Sequence, residues 1–416
     1  MQDKDTMKST LNQFFEELSD QELLEKLCKE LGVDKYVKKL TLDKLLALIA
    51  LAQLREYKGL REISSCLNDE EISTALNLDS IHFSTISRRL ASVSTEVLET
   101  VFLRLRNECM AKIGLNATED LLGRLHLIDS STISLCVTKY GWAEFRKTKG
   151  GIKVHLRIRV HNDGVIPDKM VMTPAKPADR TQMDELVVTC EGDAINVFDR
   201  GYFDLKQFDH YCDNGILFVT RLKENAIVEV MTELNVNPES VIKRDAIVFL
   251  GKNHRRMQHL VRLIETEDTE GNPIKIITNV TDLAAVELAD AYRHRWKIEL
   301  FFKWIKQHLK VKHFFGTSSQ AVENQLYIAL ITFCVLRKLQ KDSGFTGTLL
   351  ELTRILLACL HGSFSDFLAK LLRRPKRSSR GRRILNHDLI FEHTYEQVMM
   401  ENIDFLYDST YDPIIL

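Results

Sequence analysis

The first 120 residues follow the period of amphipathic helices. Apolar residues recur every three or four positions in residues 11–18 and 94–106, and residues 42–54 are almost continuously apolar. The spacing predicts a helical N-terminal domain over residues 1–120.

Three shorter helices joined by tight turns are predicted inside this domain, at residues 59–67, 71–76 and 84–90. Small helical bundles that do not bind DNA often have such sequences, so the pattern alone leaves DNA binding open. Under the DNA-binding interpretation, the last helix is a recognition helix, and it carries Thr85, Ser87, Arg88 and Arg89.

From Gly123 the period becomes that of strands. Residues 124–135 are apolar and β-branched with Asp129 inside them, which is typical of a buried strand. Residues 152–161 alternate strictly, and a hairpin-turn sequence at 162–164 leads into residues 165–173. An antiparallel meander of three strands is therefore predicted.

Helix and strand then alternate. The pattern predicts a helix at 179–188, a strand at 194–199 that ends on Asp199, a helix at 203–213 and a strand at 216–221. Together with the meander, these segments predict an α/β layer around a mixed sheet.

A segment at about residues 224–272 does not fit this layer. Its short β segments predict a β-rich insertion, interpreted as a subdomain, and a buried strand returns at 274–279. Thr281 or Asp282 is expected to cap a long helix after that strand.

That long helix carries a polar stripe beside an apolar one. The apolar stripe would place the helix against a core, and the polar stripe suits a site where a metal ion and a phosphate meet. A solvated charged face with ordinary i,i+4 ion pairs explains the same spacing. The stripe consists of Tyr292, Arg295, Glu299 and Lys306.

Helical periodicity returns after Gly316, at residues 321–338 and 349–360. The C-terminal region, residues 341–416, also contains the densest basic segment of the chain, at 370–383. Such a run is usually exposed and most often contacts phosphate. The cations expected to bind DNA are Arg373, Arg374, Arg377 and Arg380.

Composition excludes several classes of protein. With 416 residues the chain can form two or three domains, and its net charge of −1 indicates little about partners. Eight cysteines are scattered without metal-binding spacing, which predicts reduced, buried thiols. The polar start is unlike a signal peptide, and no apolar run reaches about 18 residues. We therefore expect a cytoplasmic protein without a membrane span.

Three acidic residues stand out by position. Asp129 lies inside the first buried strand, Asp199 ends the second central strand, and Glu299 is on the helix after the sheet. A buried carboxylate is costly unless a cation compensates it. Two carboxylates on adjacent strands and one from a packing helix form an oxygen-only cage suited to two Mg²⁺ ions in phosphoryl transfer. This order of residues is that of a ribonuclease H-like core.

One subgroup of bacterial insertion-sequence transposases of the DDE class is marked by Tyr-x2-Arg-x3-Glu-x6-Lys, which this chain matches in full. From about residue 129 to residue 316 the chain resembles that family. The resemblance implies a ribonuclease H-like catalytic domain at residues 121–340. Other segments that resemble the family are 128–132, 151–155, 199–202 and 219–223.

The resemblance implies an enzyme that binds terminal inverted repeats, pairs two ends in a homodimer, cleaves the DNA and joins the 3′-OH to target DNA. Asp129, Asp199 and Glu299 would hold Mg²⁺, for which Mn²⁺ is a possible substitute. The protein would associate with the nucleoid when bound to DNA. The residues implied to contact DNA are Tyr292, Arg295, Lys306 and Arg221.

Two other functions stay open at this point: a nuclease that only cuts, and an inactive DNA-binding descendant of a transposase. The three intact acidic residues count against the second. Lys153 and His155 lie on the strand beside Asp129 and fit either a structural role or contact with DNA. In some relatives a Trp in the insertion stacks on a flipped base; here the insertion contains none, and Phe249 or His254 is the candidate substitute.

Overall fold

The computed structural model describes residues 8–113, 121–146, 149–161, 164–189, 192–267, 271–309, 311 and 313–373. The chain divides into two compact units. A helical unit combines Met1–Cys109 with Phe301–Leu416, and an α/β unit comprises Met110–Leu300. The helices that follow the α/β unit in the sequence thus belong with the N-terminal ones.

The N-terminal part is helical, as its periodicity predicts. Side chains cap the helix starts: Ser9 Oγ accepts from the N–H of Asn12 at 3.2 Å, and Asp20 Oδ1 accepts from that of Leu23 at 3.1 Å. The helices are α1 (Thr10–Leu18), α2 (Gln21–Leu31), α3 (Leu42–Leu54), α4 (Leu60–Ser65), α5 (Glu70–Ala75), α6 (Phe83–Ser92) and α7 (Thr95–Ile113).

The described residues of the α/β unit form one ten-stranded sheet. The helices described beside it are α8 (Leu121–Arg124), α9 (Met183–Leu186), α10 (Leu205–Asp213) and α11 (Ala285–Arg293). The strands are β1 (Leu125–Leu135), β2 (Glu144–Arg146), β3 (Lys149–His161), β4 (Gly164–Pro174), β5 (Ile195–Phe198), β6 (Leu217–Arg221), β7 (Val228–Glu233), β8 (Arg244–Leu250), β9 (Val261–Glu267) and β10 (Pro273–Thr278).

The strand order confirms the predicted fold class. β1, β3 and β4 form the antiparallel meander, and β5 and β6 continue from β1 as parallel strands. The resulting order, β4-β3-β1-β5-β6, is that of a ribonuclease H-like core. Helix α10 covers the parallel strands, where the rings of Phe208 and Phe218 stack 4.8 Å apart between centroids.

The insertion is β-rich, as predicted, but it is not a separate subdomain. Strands β7, β8 and β9 pair in succession and join the core sheet because β9 pairs with β10 and β10 with β6. The predicted 179–188 helix is also shorter, since a 3₁₀ turn at Asp179–Gln182 precedes α9. Strand length and turn signals reveal the insertion's β content but not the strand with which it pairs.

The predicted long helix is interrupted. Helix α11 begins at Ala285, where Glu287 Oε2 accepts from the N–H of Ala284 at 2.8 Å, so neither Thr281 nor Asp282 is its cap. The next helix, α12 (Trp296–His308), starts after a turn in which the N–H of Arg295 bonds to the carbonyl of Tyr292 at 3.0 Å. The apolar period resumes after this turn, so periodicity alone did not predict it.

The described residues after α12 form three more helices of the helical unit: α13 (Ser319–Asp342), α14 (Leu349–Ala358) and α15 (Phe364–Leu371). Helices α3 and α13 are buried along most of their length and contact each other at the centre. Polar side chains inside this core pair with backbone groups: Gln53 Nε2 donates to the carbonyl of Gln325 at 3.0 Å, and Asn324 Nδ2 to that of Leu90 at 2.8 Å.

Candidate active site

Two aspartates lie side by side where the parallel pairing of strands β1 and β5 ends. Strands β1 and β5 pair in register up to Ile128 and Phe198, and the next residues in the two strands are Asp129 and Asp199. Both preceding side chains are buried in the core, so the strands deliver the carboxylates to its edge. Each carboxylate turns back onto the chain: Asp129 accepts from the N–H of Ser130 at 2.7 Å.

Arg221 continues this row. Strands β5 and β6 pair up to Phe198 and Thr220, so Arg221 follows at the same level as Asp199. The charges of both lie close enough to act on the buried phenol of Tyr292, the pKa of which is raised mainly by burial. A cation and a phenol therefore lie close to Asp199.

Glu299 reaches the site through Arg295. Nη2 of Arg295 lies 2.6 Å from Oε1 of Glu299, and its Nη1 lies 3.3 Å from Oδ2 of Asp129. The side chains of Arg295, Asp129 and Glu299 are only 16%, 17% and 20% exposed. One guanidinium thus bridges a strand carboxylate and a helix carboxylate.

Burial and mutual repulsion act together on these carboxylates. Burial raises the pKa of Asp129 to about 7; the Arg295 charge opposes this, while Glu299 and Asp199 add to it. Burial likewise raises the pKa of Glu299. Although burial disfavours the charged form of Arg295, the carboxylates of Glu299 and Asp129 raise its pKa overall. The site therefore favours a bound positive charge.

The chemistry of the three acidic side chains fits a hard divalent cation, because all of their ligand atoms are carboxylate oxygens. Within the described residues, no three His, Cys, Asp or Glu side chains lie close enough to hold a metal ion as they stand. Arg295 instead provides the compensating charge between Asp129 and Glu299.

A fourth carboxylate, Asp179, lies next to this site, and the sequence did not single it out. Its Oδ1 accepts from Ser130 Oγ at 2.8 Å and pairs with Lys153 Nζ at 2.9 Å. Nδ1 of His155 is 3.9 Å away, and burial lowers the pKa of that histidine to about 4. Lys153 and His155 thus contact Asp179, and His155 is almost fully buried.

Asp179 also lies beside the residues that follow Asp199. A Cβ atom placed on Gly201 would be 4.0 Å from Oδ2 of Asp179. The pKa of the buried Tyr202 is raised mainly by burial, and the negative charges of Asp129 and Asp179 raise it further. Asp179 thus contacts Ser130, which follows Asp129, and lies close to Gly201, which lies two residues after Asp199.

The structure places the other predicted DNA-binding residues in the helical unit. Lys306, on α12, is largely buried, whereas Arg88 is exposed on α6 and Arg373 is exposed just beyond α15. Arg374, Arg377 and Arg380 lie outside the described residues.

Arg89 corrects the prediction for α6. Its side chain points into the unit, where it pairs with Asp34 and donates to the carbonyls of Leu40 and Val33, each at 3.1 Å. A guanidinium with these partners is not presented to a DNA groove. The one-residue step from Arg88 turns the side chain by roughly 100° around the helix, from the exposed face to the buried one.

The two candidate base-stacking residues of the insertion differ in surroundings. Phe249 is half-buried, with the guanidinium of Arg256 4.0 Å from its ring centroid, whereas His254 is exposed. Trp304 is buried against Phe333, as expected of a packing residue. None of the described helices is both long enough and apolar enough to cross a membrane.

The fold and the row of acidic residues define a ribonuclease H-like protein with an acidic site at the edge of its parallel strands. Residues 122–335, just over half of the chain, match the family described as Transposase DDE domain, and the chain belongs to this family. A family described as a domain of unknown function matches residues 6–71.

Individual relatives carry transposase names. The chain is 28% identical over 262 residues to a protein of Geobacillus stearothermophilus named as the probable transposase for insertion sequence element IS5377, covering 62% of this chain and 68% of the relative. It is 30% identical over 244 residues to a protein of Sinorhizobium fredii named as transposase y4zB, covering 57% of this chain and 66% of the relative. The piggyBac transposase synaptic complex with hairpin DNA is similar with a TM-score of 0.43 and 10% identity, covering 98% of this chain and 87% of the other.

Proposed function

We propose that this DDE transposase binds the terminal inverted repeats of its element, cleaves the DNA at their ends and joins the freed 3′-OH to target DNA. The observation that carries the proposal is that Asp129 and Asp199 directly follow the last paired residues of the parallel strands β1 and β5, with Glu299 joined to the same site through Arg295. In cleavage, water attacks the phosphorus and the P–O3′ bond breaks, which leaves a 3′-OH and a 5′-phosphate. In joining, that 3′-OH attacks a target phosphodiester, and the target strand's own 3′-oxygen leaves with the proton.

Asp129, Asp199 and Glu299 would hold divalent cations, with Mg²⁺ as the physiological ion and Mn²⁺ as a substitute. Their oxygen-only ligands and the raised pKa of Asp129 fit this role, since a bound cation favours the ionised carboxylate. Bound there, the metal would activate the attacking oxygen and stabilise the leaving one.

The cationic and phenolic groups around the carboxylates would position the DNA. Arg221 and Tyr292 lie beside Asp199, where they would bind phosphates next to the scissile bond. Arg295, which now neutralises two carboxylates, would be drawn to the DNA phosphate once another cation compensates them. Lys306 would bind the backbone nearby, and two copies of the chain would pair two element ends.

A cleavage assay tests the proposal. Purified protein, Mg²⁺ and a duplex carrying the DNA that flanks this gene are combined, and the products are mapped to the nucleotide. We expect metal-dependent cuts at the inverted-repeat boundary. Glu299→Gln should bind the same duplex without cutting, because the amide keeps the shape but removes the ligand charge.

Glu239→Gln is the matched control, since Glu239 is exposed on the insertion and the substitution removes the same charge. It should cut like the wild type. Cutting by Glu299→Gln near the wild-type rate would disprove the assignment of Glu299. Binding without cutting by the wild type would favour an inactive DNA-binding descendant.

A further inference from the structure

The helical unit has a shallow groove between the loop that follows α2 and the exposed face of α6. We call it the basic groove. No Asp or Glu lines it in the described part of the chain. The exposed polar side chains that line it are Tyr36, Lys38, Lys39, Arg88 and Ser92, and the half-buried Thr85 lines it as well.

The charge of the basic groove is not neutralised within the unit. Lys35, Lys38, Lys39 and Arg88 are exposed, and none of them forms a salt bridge to another described residue. The nearby carboxylate of Asp34 is paired with the buried Arg89 instead. Four cations thus face solvent without a counter-charge, which is the electrostatic pattern of a polyanion-binding surface.

Tyr36 gives this surface a second, non-electrostatic feature. Its side chain is 89% exposed, although its backbone φ of 68° is the left-handed conformation that costs a bulky residue about 1–3 kcal/mol. Nζ of Lys35 lies 5.3 Å from its ring centroid. An exposed phenol held in a strained turn among lysines makes no contribution to the core, so its position calls for a partner outside the chain.

The loop is anchored rather than free. Arg89 donates to the carbonyls of Val33 and Leu40, one at each end of the loop, and pairs with Asp34 within it. Asp34 also accepts from the N–H of Leu42 at 3.1 Å, which ties the loop to the start of α3. The side chains of the basic groove are therefore presented by a braced backbone and lose less entropy on binding than those of a free loop would.

We propose that the basic groove binds the phosphate backbone of duplex DNA and so orients the helical unit on the element end. The proposal rests on the proposed function, which makes DNA the partner. Lysine, arginine, tyrosine and threonine side chains are donors that bind phosphate oxygens, and such contacts position a protein without reading sequence. Tyr36 contributes its hydroxyl and its ring to the sugar–phosphate backbone.

The test is fluorescence anisotropy with the full-length protein in EDTA, so that binding is measured without cleavage. Two labelled duplexes of equal length are used, one with the DNA that flanks this gene and one unrelated, across a series of NaCl concentrations. For Lys38→Ala with Lys39→Ala, we expect the slope of log affinity against log salt to fall by about 2, since each phosphate contact contributes roughly 0.9. Affinity should fall by the same factor for both duplexes.

Lys26→Ala with Lys29→Ala is the matched control, because both lysines are exposed on α2 in the same unit and neither lines the basic groove. It should leave the slope within about half a unit of the wild type. Tyr36→Gly should weaken binding while the melting temperature stays at or above that of the wild type, since glycine relieves the positive φ.

Equal slopes for the two double-lysine variants would overturn the proposal. So would a loss of affinity confined to the flanking duplex, which would indicate reading of bases rather than of backbone. The outcome is independent of catalysis: a protein that never cuts can still show the slope change, and a cutting protein with an unchanged slope refutes only the basic groove.

Discussion

Arg295 donates from Nη1 to Oδ2 of Asp129 at 3.3 Å, across 166 residues of sequence. Its other terminal nitrogen pairs with Glu299, four residues further along the chain. The turn before α12 therefore supplies the cation that compensates Asp129 and Glu299, and the first turn of α12 supplies Glu299 itself. Without that guanidinium, Asp129 and Glu299 would lie in a mostly buried site without the cation that now pairs with both.

We expect Arg295→Gln to lower the free energy of unfolding in EDTA by about 3 kcal/mol, since removing one member of a buried ion pair leaves uncompensated charge. Millimolar Mn²⁺ should restore most of this loss, because a divalent cation can replace the guanidinium. Urea unfolding with and without Mn²⁺ measures both effects. Arg293→Gln, an exposed neighbour paired with Asp290, should change stability by less than about 0.5 kcal/mol. Equal stabilities of the two variants in EDTA would contradict the role of Arg295.

Asp179 is expected to act as a positioning residue, because it holds Ser130 next to one aspartate and lies against the chain that follows the other. Asp179→Asn should raise the Mn²⁺ concentration needed for half-maximal cleavage by about tenfold, as removal of residues that orient metal ligands does elsewhere. DNA binding in EDTA should not change.

Asp184→Asn is the control for Asp179, since Asp184 is exposed on the neighbouring helix α9. Its metal dependence should equal that of the wild type. If Asp179→Asn shows the wild-type metal profile with only a lowered melting temperature, its role is structural alone.

Alanine substitutions at two consecutive arginines on α6 should affect different properties, stability for Arg89 and DNA binding for Arg88. Arg89→Ala should cost about 3 kcal/mol of stability, because it strands the partly buried Asp34 and the loop carbonyls that Arg89 now binds. Arg88→Ala should leave stability within about 0.5 kcal/mol and weaken DNA binding. Denaturant unfolding and anisotropy on the same preparations separate the two, and a reversal of the pattern would contradict the placement of Arg89.

Buried histidines should make the α/β unit sensitive to acid. Burial lowers the pKa of His126 and of His155 to about 4, whereas an unfolded histidine has a pKa of about 6.5. The unfolded state therefore binds more protons between these values. Stability is fully present above pH 6.5 or so and falls towards pH 4, by up to about 1.4 kcal/mol per pH unit for each histidine.

Urea unfolding of the wild type and of His155→Gln between pH 7.5 and 4.5 measures this effect. The unfolding free energy of the variant should fall less steeply with decreasing pH, and the difference in slope should correspond to the uptake of close to one proton fewer on unfolding. His254→Gln, a substitution at an exposed position of the same unit, should retain the wild-type slope. An unchanged slope for His155→Gln would show that His155 takes up a proton without unfolding.

Local pattern predicted the ribonuclease H-like fold well. The apolar runs that contain Asp129 and precede Asp199 identify two buried strands, and the order of elements after them identifies the mixed sheet. The apolar stripe beside Glu299 identifies the helix that carries the third acidic residue. These features could be predicted because the periods of strands and helices depend only on residues that are close together in the sequence.

Tertiary structure alone decided which groups meet. The pairing of β10 with β6 placed the insertion in the core sheet, Arg89 turned inward to Asp34, and Asp179 reached Ser130 across 49 residues of chain. The sequence determined which face of each element is buried and which residues carry charge. It did not determine the partner of each charge, because a period shows that a side chain is buried but not which distant element it is buried against.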